Sequence, residues 1–393
     1  MNNQTNLQIW DKHIHAFVTL SNTNGGTGLL AGIRVGVKDI IDAEGLPTRN
    51  GSDACADVPP ALTDAPVVAR LRAHGATIVG KTTTTEFAFT DPTPCRNPHD
   101  LRRSPGGSSS GSGAAVAAGV VDIALATQTA GSLCRPAAYC GVVGFKPTYG
   151  LVPTAGMTPL APSFDTLGII GRDITTVRRA FDLIVPDHPP SDQMQIKAIS
   201  GLWETDVPVG EKWRGALAQA ANALSYIGAQ VDRRPLIAPV ASIVTAHRQV
   251  MCAEAFAAHG AMLSDSRAPL LRPKFKAGLE FGRDITPSDF SDARNLLKTE
   301  RQAFWDRMSD HNIMLTLPVP EGAPLIGDTT GYQDWLTPWT VFGGPLVCLP
   351  WGMDQLQRPA SVMLAARPGQ DRWLLEVAAT LEPHAPPISA PNL

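Results

Sequence analysis

The chain has 393 residues, 44% of them hydrophobic, and a formal net charge of −3. That length buries a large core, while the weak negative charge offers no basic field to nucleic acid or an acidic membrane. A small-molecule partner is therefore expected, with no nucleic acid and no membrane.

From the start, MNNQTNLQIWDKHIHAF lacks a basic region followed by an apolar run, so it does not read as a secretory signal. No stretch reaches the ~20 apolar residues of a membrane helix, and a cytoplasmic location is expected. Residues 32–41, GIRVGVKDII, predict a short buried strand carrying one lysine, Lys38. Residues 64–74 have helical apolar spacing and 76–81 predict a second strand, an alternating α/β layout. A polar, glycine-rich loop (101–113) then runs into an alanine-rich helix, and 120–127 predict the next strand. A second loop, QTAGSLCRP, leads into AAYCGVVGFKP. The proline cluster PDHPP (186–190) closes this first block, residues 208–310 read mainly as helices, and strands return at 313–319 and 345–352 before a last helix near 372–382. Because strands return, the proline cluster reads as a loop, and a single domain over 1–393 is expected. Its parts are a core (1–185), a helical region (208–310) and returning strands with a last helix (311–382). The six cysteines form no C-x-x-C pair and no four-ligand set, which suits reduced thiols rather than zinc or disulfides.

Both glycine-rich loops present serines between a strand and a helix, where exposed N–H groups can bind a developing oxyanion. Residues 107–111 match G-x-S-x-G with Ser109 at its centre, but that elbow needs a hydrophobic strand just before it, and HDLRRSP is polar and broken by proline. A phosphate-binding loop is excluded because no Lys follows the glycines.

Two blocks, PGGSSSGSGAAVAAG (105–119) and TQTAGSLCRPAAYCGVVGFKPTYG (127–150), resemble the amidase signature family. The resemblance continues in LAGIRVGVKDIIDAEGLPTRNGS, GKTTTTEFAF and SFDTLGIIGRDI, and more loosely in GGPLVCLPWGMDQLQRPASVMLAA. It implies an α/β fold with a twisted, mixed central sheet covered on both faces by helices. It also implies a triad: a base, Lys38; a serine on a cis peptide, Ser108; and a nucleophile, Ser132, 24 residues further on. The N–H groups of Thr129, Ala130, Gly131 and Ser132 would form the oxyanion hole, and Ser109 is expected to help position Ser108 or bind substrate. The helical region 208–310 would wall the pocket. Neither metal nor organic cofactor is implied, and a homodimer is the only assembly expected.

The residue types suit this chemistry. A serine hydroxyl needs a neighbouring base, and lysine is one only when burial keeps it neutral, which the apolar strand around Lys38 favours. Lys81 and Lys146 read as structural, as do Ser110 and Ser112; Asp165 is expected to tie down a loop, and no histidine is needed. Many family members read D-x-G-G-S-x-R across the second loop, whereas here Gln128, Ala130 and Cys134 stand at the acid, a glycine and the arginine. Arg135 follows, and resemblance to the malonamidase-like branch implies that it reads a carboxylate near the amide. The expected function is hydrolysis of a small carboxamide to carboxylate and ammonia or amine, through acyl-Ser132. The alternatives are the amidase subunit of a glutamine-dependent tRNA amidotransferase, ranked second because that subunit is usually longer, and a non-catalytic binding subunit, disfavoured because all three triad residues are present.

Overall fold

The computed structural model describes residues 3–189, 194–327 and 329–392, so Pro190 of the proline cluster lies outside the described residues. Eleven strands occur among them: β1 (Phe17–Leu20), β2 (Arg34–Lys38), β3 (Thr77–Thr82), β4 (Ile123–Gln128), β5 (Val143–Lys146), β6 (Thr166–Gly171), β7 (Lys197–Ser200), β8 (Gln230–Arg233), β9 (Ile313–Thr316), β10 (Leu346–Met353) and β11 (Pro359–Ala365). They form one mixed sheet in the order β1-β3-β2-β4-β6-β5-β10-β11-β9-β7-β8. β2 lies between β3 and β4 and is parallel to both, with Val37 opposite Leu125 and Lys38 opposite Thr82. Every residue of β4, β6 and β11 is buried, which requires cover on both faces of the sheet and explains their nearly unbroken apolar runs.

Small residues set the spacing around the first loop. The helix Ser110–Ala117 (SGSGAAVA) is buried over nearly its whole length. A Cβ on Gly111 would lie 2.2 Å from the carbonyl oxygen of Ala16, and one on Gly113 would lie 3.1 Å from Pro136 Cβ. This helix therefore sits tightly between the β3 side and the helix Cys134–Cys140, which brings the two serine loops together. Elsewhere capping follows the sequence. Asp173 accepts the N–H of Thr176 at 2.6 Å and starts the helix Ile174–Ile184, which buries Ile174, Val177, Phe181 and Ile184 at helical spacing.

The region 208–310 is mainly helical but also contributes β8, whose residues, apart from Val231, are exposed and carry little apolar signal. Of its long helices, Val240–His259 packs against both Pro273–Arg283 and Pro287–Arg307, and the first and last of these also pack against the helix Thr337–Phe342. The second of them crosses the first at Gly282, where a Cβ would lie 1.9 Å from the Cys252 carbonyl oxygen. We expect Gly282→Ala to force these helices apart at a cost of about 1–3 kcal/mol, lowering Tm by about 2–6 °C in calorimetry. An unchanged Tm would mean that the crossing gives way freely.

Candidate active site

β2 ends by delivering Lys38 into the interior with no exposed surface. Its Nζ lies 2.6 Å from Ser108 Oγ and 2.6 Å from Thr127 Oγ1. Burial lowers its pKa from 10.5 to about 7, against a smaller opposing pull from the Asp165 carboxylate. A neutral amine has two N–H donors and one lone pair, so it can donate to Thr127 and accept from Ser108 at once. The other two buried lysines have different partners. Lys81 Nζ pairs with Asp39 at 3.2 Å and donates to Thr48 Oγ1 at 2.8 Å, and Lys146 Nζ donates to the Pro147 carbonyl at 2.8 Å.

Ser108 is fully buried, and the Gly107–Ser108 peptide is cis. Its neighbours hold the loop in place. Ser110 Oγ donates to the Gly106 carbonyl (2.7 Å), and Ser112 Oγ to the Leu125 carbonyl (3.1 Å). Ser109 Oγ lies 3.3 Å from both the N–H and the carbonyl of Thr127, and its own N–H donates to the Ser132 carbonyl at 3.1 Å. That last bond joins the two serine loops directly beside Ser132, which is itself buried.

The second loop is held by its carbonyl groups. The Thr129 carbonyl lies 2.8 Å from His247 Nε2, the Ala130 carbonyl accepts from Thr340 Oγ1 at 2.5 Å, and the Gly131 carbonyl accepts from Arg135 N–H at 3.0 Å. Gln128 Oε1 accepts the N–H groups of Leu133 and Cys134 at 3.1 and 3.0 Å, which starts the following helix. Thr129 Oγ1 donates to Asp165 at 2.6 Å, and the other oxygen of Asp165 accepts from Leu160 and Ala161 N–H. Among the described residues, the N–H groups of Thr129, Ala130, Gly131 and Ser132 have no protein acceptor.

Arg135 is buried, and its guanidinium faces backbone. It donates to the Gly107 carbonyl at 2.6 Å, to Thr330 Oγ1 at 3.2 Å and to the Gly331 carbonyl at 3.3 Å, while Nε has no partner. Burial lowers its pKa to about 10, against the charges of Tyr139 and Asp334.

Three residues at this site escape sequence reasoning: Thr127, His247 and Thr340. A signal existed for Thr127, which closes the apolar segment 120–127 before the loop, although β4 itself runs one residue further to Gln128. His247 lies in a helix far from both signature blocks, and nothing in its neighbourhood marks it. It also lines a cavity of about 390 Å³ with Phe89, Arg248, Lys274, Asp334 and Thr337. Among the described residues that line this cavity, none belongs to either serine loop, and the cavity meets the loops only through intermediate residues. Phe89 bonds through its carbonyl to Thr85 Oγ1 (2.8 Å), whose N–H donates to the Ser108 carbonyl (3.2 Å), while His247 reaches Thr129.

A family profile described as Amidase matches residues 12–375. A glutamyl-tRNA(Gln) amidotransferase subunit of Moorella thermoacetica is 31% identical, the alignment covering 90% of this chain and 83% of that protein. The solved structure of the corresponding protein from Thermotoga maritima superposes with a TM-score of 0.83 at 26% identity, over 100% of this chain and 94% of that one. A second solved structure, described as a vestigial protein complex revealing the origins of an s-triazine catabolic enzyme, gives a TM-score of 0.88 at 25% identity, over 98% and 95% of the two chains.

These relatives overturn the expected partners. Net charge pointed to a small-molecule partner with no nucleic acid, and the family resemblance to at most a homodimer. The relatives are instead named as subunits of a glutamyl-tRNA(Gln) amidotransferase. A charge summed over the whole chain carries no information about a local docking face, which is why it misled. No helix among the described residues is long and apolar enough to cross a membrane.

Removing Arg135 would strand the buried Gly107 carbonyl, at about 1–3 kcal/mol. We expect Arg135→Ala to lower Tm in calorimetry, with Arg135→Lys recovering part of the loss. A Tm equal to that of the parent would show that the guanidinium does not hold this turn.

Proposed function

The chain belongs to the Amidase family, and from that premise we propose that it opens the C–N bond of a carboxamide through an acyl-Ser132 intermediate, as the amidase subunit of an amidotransferase with glutamine as the amide. The observation that carries the chemistry is the 2.6 Å contact between the buried amino group of Lys38 and Ser108 Oγ. Neutral Lys38 accepts the proton of Ser108 as Ser108 accepts that of Ser132, and Ser132 Oγ bonds to the carbonyl carbon. The carbonyl oxygen becomes an oxyanion facing the N–H groups of residues 129–132, each such donor being worth roughly 3 kcal/mol in the transition state. The C–N bond then breaks, the relay returns the proton to nitrogen, and ammonia leaves. Water next adds to the acyl ester, loses its proton along the same path, and releases the carboxylic acid with Ser132 restored.

The names of the relatives support the amidotransferase, and glutamine, the amide of the alternative reading from the sequence, suits the character of the cavity. Asp334 stands there with Arg248 and Lys274, a set of both signs suited to an amide that carries an ammonium and a carboxylate. Arg135 and Ser109 take positioning roles in this reading. Their polar atoms meet the Gly107 and Thr127 backbone, so the carboxylate of a half-amide is not assigned to Arg135.

The test is ammonia release from glutamine, malonamate, succinamate and benzamide by the parent and by Ser132→Ala, each assayed alone and with any copurifying subunit. We expect glutamine to lead the series and Ser132→Ala to lose at least about 10³-fold. Turnover unaffected by that substitution would remove the mechanism, and a preference for malonamate or succinamate would return the carboxylate role to Arg135.

The pH dependence follows from Lys38. With a pKa of about 7 the amine is protonated and inactive as a base below that pH, and free above it. We expect kcat/KM to climb tenfold per pH unit below pH 7 and to level off above it. A profile flat from pH 5 to 9 would exclude Lys38 as the titrating base.

A further inference from the structure

Resting on the reading of Ser132 and its neighbouring N–H groups as the reaction centre, we propose that His247 and Thr340 are positioning residues that aim the oxyanion-binding N–H groups of Ala130 and Gly131. In a trans peptide the C=O and the next N–H point in opposite directions. Fixing the Thr129 carbonyl therefore fixes the Ala130 N–H, and fixing the Ala130 carbonyl fixes the Gly131 N–H. Both carbonyls are held from outside the loop, the first by His247 at 2.8 Å and the second by Thr340 at 2.5 Å. The Gly131 carbonyl, held by the Arg135 N–H at 3.0 Å, aims the Ser132 N–H in the same way.

The proton on each of these groups is determined by its surroundings. Thr340 Oγ1 accepts from Gln128 Nε2 at 3.0 Å, and the orientation of that amide is set by the two N–H groups on Gln128 Oε1. A hydroxyl accepting in this way spends its one proton on the Ala130 carbonyl. His247 is buried, its ring 4.3 Å from that of Phe164, and it shares its cavity wall with the charged groups Arg248, Lys274 and Asp334. Burial holds its pKa down at about 4, so it is a neutral imidazole and carries its proton on Nε2, toward the carbonyl. A glycine at 131 leaves the loop free to turn its peptides, and Leu336 covers it at 2.9 Å from where a Cβ would stand. The two side chains thus supply a restraint that the loop's own sequence lacks.

The test uses His247→Phe, Thr340→Val and Thr340→Ser, alongside Ser132→Ala, in the full chain with any copurifying subunit. The substrate is whichever amide of the series is turned over best. Phenylboronic acid serves as the probe of the tetrahedral state, because Ser132 Oγ adds to boron and leaves an anionic oxygen in the hole. We expect His247→Phe and Thr340→Val each to lose about tenfold to hundredfold in kcat, with KM changed less than threefold and boronate Ki raised by a similar factor. Thr340→Ser keeps the hydroxyl and is expected within threefold of the parent. The loss in His247→Phe is expected to be uniform from pH 6 to 9, because the imidazole orients and does not titrate. Folding is checked by circular dichroism, and a failure of one variant to fold leaves the other, on a separate helix, to decide. The proposal is overturned if a folded variant keeps its kcat and boronate Ki while Ser132→Ala is inactive, or if His247→Phe abolishes the rise below pH 7. Activity retained in Ser132→Ala would instead strike the mechanism on which it rests.

Discussion

The site depends on a lysine amino group taken wholly out of water. In water an ammonium is strongly favoured; at the end of β2, with two hydroxyls at 2.6 Å and apolar strands on either side, the neutral form becomes accessible near pH 7. Such burial requires neighbours that can meet an amine without carrying negative charge, which serine and threonine do. It also requires nearby charges to be otherwise engaged. Asp39, the next residue along, pairs with Lys81, and Asp165 accepts from Thr129, Leu160 and Ala161. A free carboxylate beside Lys38 would hold its proton and remove the base that the proposed mechanism needs.

The remaining architecture serves to bring two loops to that amine. Glycine and alanine in the helix Ser110–Ala117 allow a close approach that larger side chains would prevent, and the Ser109 N–H joins one loop to the other beside Ser132. Arg135 braces the first loop through the Gly107 carbonyl, while its backbone N–H caps the second. A single residue thus ties both loops to one helix.

Much of this was legible in the sequence because the information is local. The strand with its lysine, the paired glycines before Ser108 and the loop around Ser132 are short blocks whose residue types and order carry their meaning. The alternating α/β layout was legible for the same reason, since its buried strands are apolar runs, whereas the mixed sheet was implied by the family resemblance alone. His247 and Thr340 were not legible. They meet the loop across 118 and 210 residues of chain, and a histidine or threonine on a helix looks the same whether it faces a carbonyl or a neighbouring side chain. Arg135 shows a related limit: its place three residues after Ser132, by resemblance to the malonamidase-like branch, suggested an outward task, while its guanidinium is buried and donates to backbone. The short strand β8 was hidden by its exposed, polar composition, since its place in the sheet comes from pairing with β7.

His247 belongs at once to the wall of the cavity and to the support of the second loop. The helix that carries it is also held at Gly282, where there is no room for a side chain between Val240–His259 and its neighbour. A change in the shape of that wall would therefore be transmitted to the peptides beside Ser132. For evolution or engineering, the proposed mechanism then makes selectivity and rate inherited together: replacing the helical layer to admit a new amide would reset the proposed oxyanion site as well, and the serine loops would not be a portable cassette.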